Sequence, residues 1–187
     1  VLGTPPREHA DAPSASSEGS EVTFTTNLVD PTLMLEVISL LVCRLRIAAG
    51  RHIYAPGAPE AFTPLSLQFH SEGLRFGEPE WPQPQQLNMV NLDIQVPVYE
   101  HEVIVSVPVT ATSALVRLGH GLDQPLAKIT ISCSYQACDE ESCGLPATIE
   151  ATLTVPLEEL VETEGVKTNA KRIEQEQAAK RREWQSE

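Results

Sequence analysis

VPVYEHEVIVSVPVTA, residues 96–111, decides the fold. Val103, Val105, Val107 and Val109 fall at every second position, with Glu102, Ile104, Ser106 and Pro108 between them. Successive side chains of a strand point to opposite faces, so this alternation describes a strand with one face buried. The period recurs in LAKITISCSYQ (126–136), where Ile129, Ile131, Cys133 and Tyr135 oppose Lys128, Thr130, Ser132 and Ser134. It recurs in ATIEATLTVPL (147–157), where Ile149, Ala151, Leu153, Val155 and Leu157 alternate with Glu150, Thr152 and Thr154. MLEVISLLVCRLRI (34–47) alternates less cleanly through Leu35, Val37, Leu41, Cys43, Leu45 and Ile47, as a more central strand does. APGAP (55–59), SEGLRFGEPEWPQPQ (71–85) and GHGLDQP (119–125) are turn signals that separate the runs. The pattern predicts an all-β chain folded as an antiparallel sandwich of immunoglobulin-like size.

Composition supports this and excludes several classes. The chain has 187 residues, of which 41% are hydrophobic but only 5% aromatic, so a core must be built mainly from Val, Leu and Ile. Fifteen prolines against ten glycines disfavour long helices. Thirteen Lys and Arg against 26 Asp and Glu leave a net charge of −13, the wrong sign for a general nucleic-acid or anionic-membrane binder. The longest apolar stretch, Leu33 to Ala49, is broken by Glu36, Arg44 and Arg46 and reads as a buried element, not a membrane span. There is no G-x-S-x-G elbow and no phosphate-binding glycine loop. Paired carboxylates such as Glu158 with Glu159, or Glu78 with Glu80, lie in hydrophilic stretches and read as solvated surface.

The sandwich is expected over residues 22–160. Residues 1–21, with PPREHADAPSASSEGSE at 5–21, cannot fill a core and read as a disordered leader or linker. The start at Val1 leaves room for a removed leader or an upstream domain. Residues 161–187 are rich in helix formers and carry the favourably ordered Glu176/Lys180 pair, so they read as a charged helical tail, solvated or available for docking.

Four cysteines carry the chemistry. Cys43 and Cys133 lie on apolar strand faces and read as buried small hydrophobes, although a disulfide between them is conceivable in an oxidising compartment. Cys138 and Cys143 lie in YQACDEESCGLP (135–146), where alternation stops, so both are expected near solvent in a tight loop. Zinc fits poorly: the pair needs two more ligands, and the histidines at 9, 52, 70, 101 and 120 are scattered. A structural staple and a reversible dithiol–disulfide centre both fit. So short a loop removes unfolded-chain entropy worth only about 2 kcal/mol, a weak staple. An exchange centre needs reachable sulfurs, a short link and a firm platform, which the loop offers. Asp139, Glu140 and Glu141 between the sulfurs either merely solvate the loop or raise the thiol pKa and make a centre that waits for a docked partner. Cys138 directly follows a strand and is expected to be the sulfur that exchanges with partners; Cys143 precedes Gly144 and is expected to move more freely.

Three segments in order carry a family likeness: RHIY (51–54) after a long apolar strand, VYEHEVIVSVPVTA (98–111), and SYQACDEESCGLPATIEATLTVPL (134–157). Together they resemble the periplasmic amino-terminal domain of DsbD, the thiol:disulfide interchange reductase of bacteria. The resemblance implies an immunoglobulin-like fold and a periplasmic or extracytoplasmic setting. It implies that Cys138 and Cys143 are the pair relaying electrons between thioredoxin-like donors and acceptors, without a cofactor. It places His52 and Tyr54 beside the sulfurs, though both also suit ordinary strand-end roles. Gln136 flanks the site by sequence, and Tyr135 lies on the apolar face and suits packing. Family members shield the disulfide with a loop bearing an aromatic ring; the matching stretch QQLNMVNLDI (85–94) has none, so Leu92 or Met89 takes that place. Any membrane connection would run through a separate domain. The alternative is a non-catalytic sandwich that binds protein partners within a larger redoxin-type protein and keeps Cys138–Cys143 as a local clasp.

Overall fold

Thirteen strands fill the described part of the chain, a computed structural model that describes residues 13–19, 21–59, 61–89, 93–114 and 126–158. The charged tail, most of the leader and Leu92 lie outside the described residues. The valine-rich segment forms β10 (Glu102–Ala111), and its four valines are fully buried. It pairs antiparallel with β4 (Ile38–Ile47), setting Val103 opposite Leu45, Val105 opposite Cys43 and Val107 opposite Leu41. β1 (Ser14–Glu18), β2 (Val22–Leu28) and β7 (Leu74–Phe76) complete a five-stranded sheet in the order β1-β2-β4-β10-β7.

The facing sheet has the order β3-β13-β11-β6, with β3 Leu33–Met34, β13 Ala147–Glu158, β11 Leu126–Tyr135 and β6 Ser66–His70. Ile129, Ile131, Cys133 and Tyr135 of β11 and Leu153 and Val155 of β13 point inward, as their period predicts. They meet the valines of β10 in a single core. Each such Val, Ile or Leu removed from water contributes about 1.5–3 kcal/mol, so the two inward faces hold the sheets together. The result is an all-β immunoglobulin-like sandwich. Cys43 and Cys133 are free thiols within it, and burial pushes both up to about 12.

Two expectations fail at strand ends. The 34–47 run is not one strand. Glu36 takes a positive φ of 57°, which breaks the alternation and leaves Val37 exposed. The chain thereby switches sheets: β3 pairs parallel with β13, and β4 begins in the other sheet. In addition, Ser14–Glu18 of the leader is ordered as β1. An edge strand needs backbone bonds to β2 and little side-chain burial, and here only Ala15 packs on the core.

A third, smaller sheet carries β12 (Ala137–Cys138), β5 (His52–Tyr54), β9 (Ile94–Glu100) and β8 (Gln85–Met89), in that order. Its two faces do different work. Ile53, Tyr99 and Ala137 turn into the main core. Tyr54, Val96, Val98 and Cys138 turn the other way and form a separate cluster, with Ala58, Phe62, Leu87 and Met89 packed on its rim.

Candidate functional site

The site is built on the second face of the small sheet. Cys138 ends β12, and the chain reverses at once so that Cys143 lies opposite it, with Cα atoms 4.0 Å apart and the sulfurs joined in a disulfide. The reversal is stabilised locally. The Asp139 N–H donates to the Ser142 carbonyl (2.8 Å), while Asp139 Oδ1 accepts from the N–H groups of Glu141 (2.9 Å) and Ser142 (2.6 Å). An aspartate that accepts amides two and three residues ahead is a common turn former. These bonds hold its carboxyl below the usual carboxylate range, helped by the Arg51 guanidinium. Arg51 Nη1 reaches Asp139 Oδ2 at 2.6 Å, and its Nη2 reaches Glu21 at 3.0 Å.

The far arm of the loop is equally tied. The Gly144 N–H donates to the Ala137 carbonyl (2.8 Å), and Gln136 Nε2 donates to the Gly144 carbonyl (2.9 Å). Gln136 Oε1 in turn accepts from the Thr63 N–H at 3.4 Å. The glycine after Cys143, whose presence led to the expectation that Cys143 moves more freely, is therefore itself anchored. None of these bonds involves sulfur, so the hairpin has reasons to persist when the disulfide opens.

The two cysteines differ in access. Cys143 is exposed, whereas Cys138 is 1% exposed. The expectation that both lie near solvent fails for Cys138, because β12 adds it to the small sheet and seals it under the Tyr54 cluster. The fully buried Tyr54 places its hydroxyl 3.5 Å from each sulfur. Disulfide sulfurs carry no hydrogen, so the hydroxyl is the only possible donor in these contacts. Burial raises the tyrosine pKa and keeps that proton in place. Phe62 lies against Tyr54 with ring centroids 4.5 Å apart.

His52 sits directly across from Cys138 in the β5–β12 pair and across from Glu100 in the β5–β9 pair. Its ring meets Tyr54 edge-on at 5.7 Å. Desolvation lowers its pKa below the ordinary 6.5, against the opposing pull of Glu100 and Asp139.

Of the residues singled out from sequence, the structure brings Cys138, Cys143, His52, Tyr54 and Gln136 together. Met89 packs on the rim of the Tyr54–Cys138 cluster. Tyr135 is core, as its face predicts. Sequence reasoning missed Arg51, Phe62 and Thr63. Arg51 stood inside RHIY, and an Arg able to answer the DEE run was a usable signal; Phe62 and Thr63 left none. Among the described residues no group of three or more His, Cys, Asp or Glu is arranged to hold a metal, and no helix is long and apolar enough to cross a membrane.

Comparison with known proteins gives a family match over residues 38–155, 118 of the 187, to "Thiol:disulfide interchange protein DsbD, N-terminal". No curated protein matches the chain. Among solved structures, the N-terminal periplasmic domain of ScsB from Proteus mirabilis aligns at 11% identity and a TM-score of 0.48, covering 81% of this chain and 53% of that one. The chain thus spans about half the length of that structure. The N-terminal domain of Neisseria meningitidis DsbD in its reduced form aligns at 16% identity and a TM-score of 0.41, covering 79% of this chain and 90% of that one.

Proposed function

The chain belongs to the family of DsbD amino-terminal domains, and from that premise we propose that it is an extracytoplasmic electron-relay domain working through Cys138 and Cys143. The observation that carries this reading is the asymmetry of the disulfide: one half is exposed, the other is sealed beneath Tyr54, and the hairpin bearing both is held by bonds independent of sulfur.

A thioredoxin-like donor approaches from solvent, so its thiolate attacks Cys143 Sγ and Cys138 departs as the leaving thiolate. Tyr54, already 3.5 Å away, donates to that thiolate as its charge develops. The donor's second thiol then attacks its own sulfur of the mixed disulfide and frees Cys143. Two electrons have passed, leaving Cys138 and Cys143 as thiols and the donor as a disulfide. The reduced pair next attacks the disulfide of an acceptor, again through Cys143, and Cys138 resolves the mixed disulfide. The unequal burial supports Cys143 as the sulfur that exchanges with partners in this reading, where strand position alone had favoured Cys138.

His52, Gln136 and Met89 serve as supports in this scheme. Gln136 fixes the carbonyl after Cys143, and Met89 packs the rim of the cluster. Leu145, 90% exposed beside the anchored Gly144, offers an apolar contact to a docked partner. Glu140 and Glu141, both exposed, favour a partner with basic residues around its own thiol, and raised salt slows that encounter. A mere clasp is the weaker account. The loop it would close is short, so as a staple the bond is worth only about 2 kcal/mol.

The test is electron transfer from a reduced thioredoxin-like protein to the oxidised domain, followed by alkylation of new thiols. Two thiols per domain are expected to appear. Mixed instead with an oxidised thioredoxin-like acceptor, whose disulfide the Cys143 thiolate attacks, Cys138→Ser is expected to accumulate a mixed disulfide through Cys143, and Cys143→Ser to accumulate none. Transfer that persists in both variants, or no transfer in the wild type, refutes the relay.

A further inference from the structure

His52 Nε2 is a buried polar atom without a hydrogen-bond partner among the described residues. The residue is only 8% exposed. An unsatisfied nitrogen at such a place costs stability, so its persistence asks for a reason. Its position suggests one. Residues directly opposite in an antiparallel pair share a face, with Cβ atoms about 4.5–5.5 Å apart. His52 is opposite Cys138, on the face that also carries Tyr54. In the oxidised state Cys138 has no proton to offer. Reduction gives it an S–H, the partner that the imidazole lacks.

We propose that His52 Nε2 is the proton acceptor for the Cys138 thiol when that thiol closes the mixed disulfide on Cys143. This rests on the exchange reading above and deepens it. The Cys138 S–H bond breaks as its proton passes to Nε2. The new thiolate attacks Cys143 Sγ, the Cys138–Cys143 bond forms, and the bond from Cys143 to the partner breaks. The partner sulfur leaves with the electron pair, as a reduced thiolate, while the domain's pair is oxidised. The imidazolium returns its proton to solvent or to the departing sulfur.

The charged and titratable groups around His52 are Glu100 on β9, Cys138 on β12, Tyr54 on its own strand, Asp139 at the hairpin start, and Arg51, which precedes it and is paired with Asp139 and Glu21. Glu100 and Asp139 favour the imidazolium that proton transfer creates. Desolvation dominates and keeps the ring neutral before transfer, as a proton acceptor must be. Tyr54 holds its proton and serves as a donor only.

Resolution can be timed without any protein partner. The reduced full chain is mixed with a stoichiometric amount of dithionitrobenzoate and thionitrobenzoate release is followed. The first release, at Cys143, depends on reagent concentration. The second, from closure by Cys138, does not, and it is absent in Cys138→Ser. With His52 accepting the proton, the wild-type closure rate is flat between roughly pH 6.5 and 8, above the histidine titration. In His52→Gln the first release is unchanged, closure at pH 7 slows about tenfold or more, and its rate climbs about tenfold per pH unit because only spontaneous thiol ionisation remains. A wild-type closure rate that itself climbs tenfold per unit across this range overturns the proposal, even if the variant does not fold. So does a folded His52→Gln that keeps the plateau. Because no redoxin is present, failure here leaves the relay reading intact, and failure of redoxin exchange leaves this result interpretable.

Discussion

Reducing the Cys138–Cys143 bond is expected to leave the sandwich standing at a cost of about 2 kcal/mol. The sequence separation is 5, so the bond closes a loop of six residues, to which the chain-entropy relation assigns about 2.2 kcal/mol at 25 °C. The folded side adds little, since Gly144, Gln136 and Asp139 keep the hairpin closed without sulfur. The strands run from Ser14 to Glu158, and unfolding such a length releases about 0.3 kcal/mol/K near 60 °C. The melting temperature should therefore fall by about 7 °C on reduction. The same cycle read the other way means that folding favours the oxidised pair by the same 2.2 kcal/mol, a shift of about 50 mV to more negative potential relative to the unfolded chain. Thermal melts with and without excess dithiothreitol, followed by near-ultraviolet circular dichroism, measure the difference. A drop greater than about 15 °C, or loss of the near-ultraviolet signal at 25 °C on reduction, refutes the reasoning.

Two further outcomes follow from the same geometry. Cys43 and Cys133 are pushed up to about 12 in the fold from an ordinary 9.0. The unfolded chain releases these protons first, so stability is full below pH 9 and declines as pH rises from 9 toward 12; denaturant melts of Cys43→Ala/Cys133→Ala against wild type should show a flatter alkaline limb. Leu145→Asp should slow exchange with a thioredoxin-like protein by about tenfold or more, the worth of one buried leucine, while reduction by dithiothreitol stays within about twofold; equal slowing of both would mean a damaged site and not a lost docking contact.

The sandwich was legible because burial on one face writes a period of two into the sequence. β10, β11 and the buried positions of β13 follow it residue by residue. Legibility ended where backbone conformation replaced side-chain chemistry. Nothing about Glu36 announces a positive φ, yet that one residue moves the chain between sheets. Ser14–Glu18 looked like linker because edge pairing is made by backbone amides, which every residue has.

The site divides in the same way. The cysteine pair, Tyr54, His52 and Gln136 came from local motif and family likeness. The unequal burial of the sulfurs did not, because it arises from two residues of strand, Ala137–Cys138, added to β5. The acidic run also changed meaning. Asp139 is spent on the turn and on Arg51, so it is a fixed, paired group and not a free charge facing a thiol.

The central claim is that these sulfurs open and close in exchange with other thiol proteins, and the reduction potential of the Cys138–Cys143 pair tests it most directly. Equilibration in a graded series of reduced and oxidised glutathione, with acid quench and alkylation, gives the value. An exchange centre is expected to fall in the range spanned by known exchange proteins, roughly −120 to −270 mV. A potential below about −300 mV, where structural disulfides lie, would contradict the account.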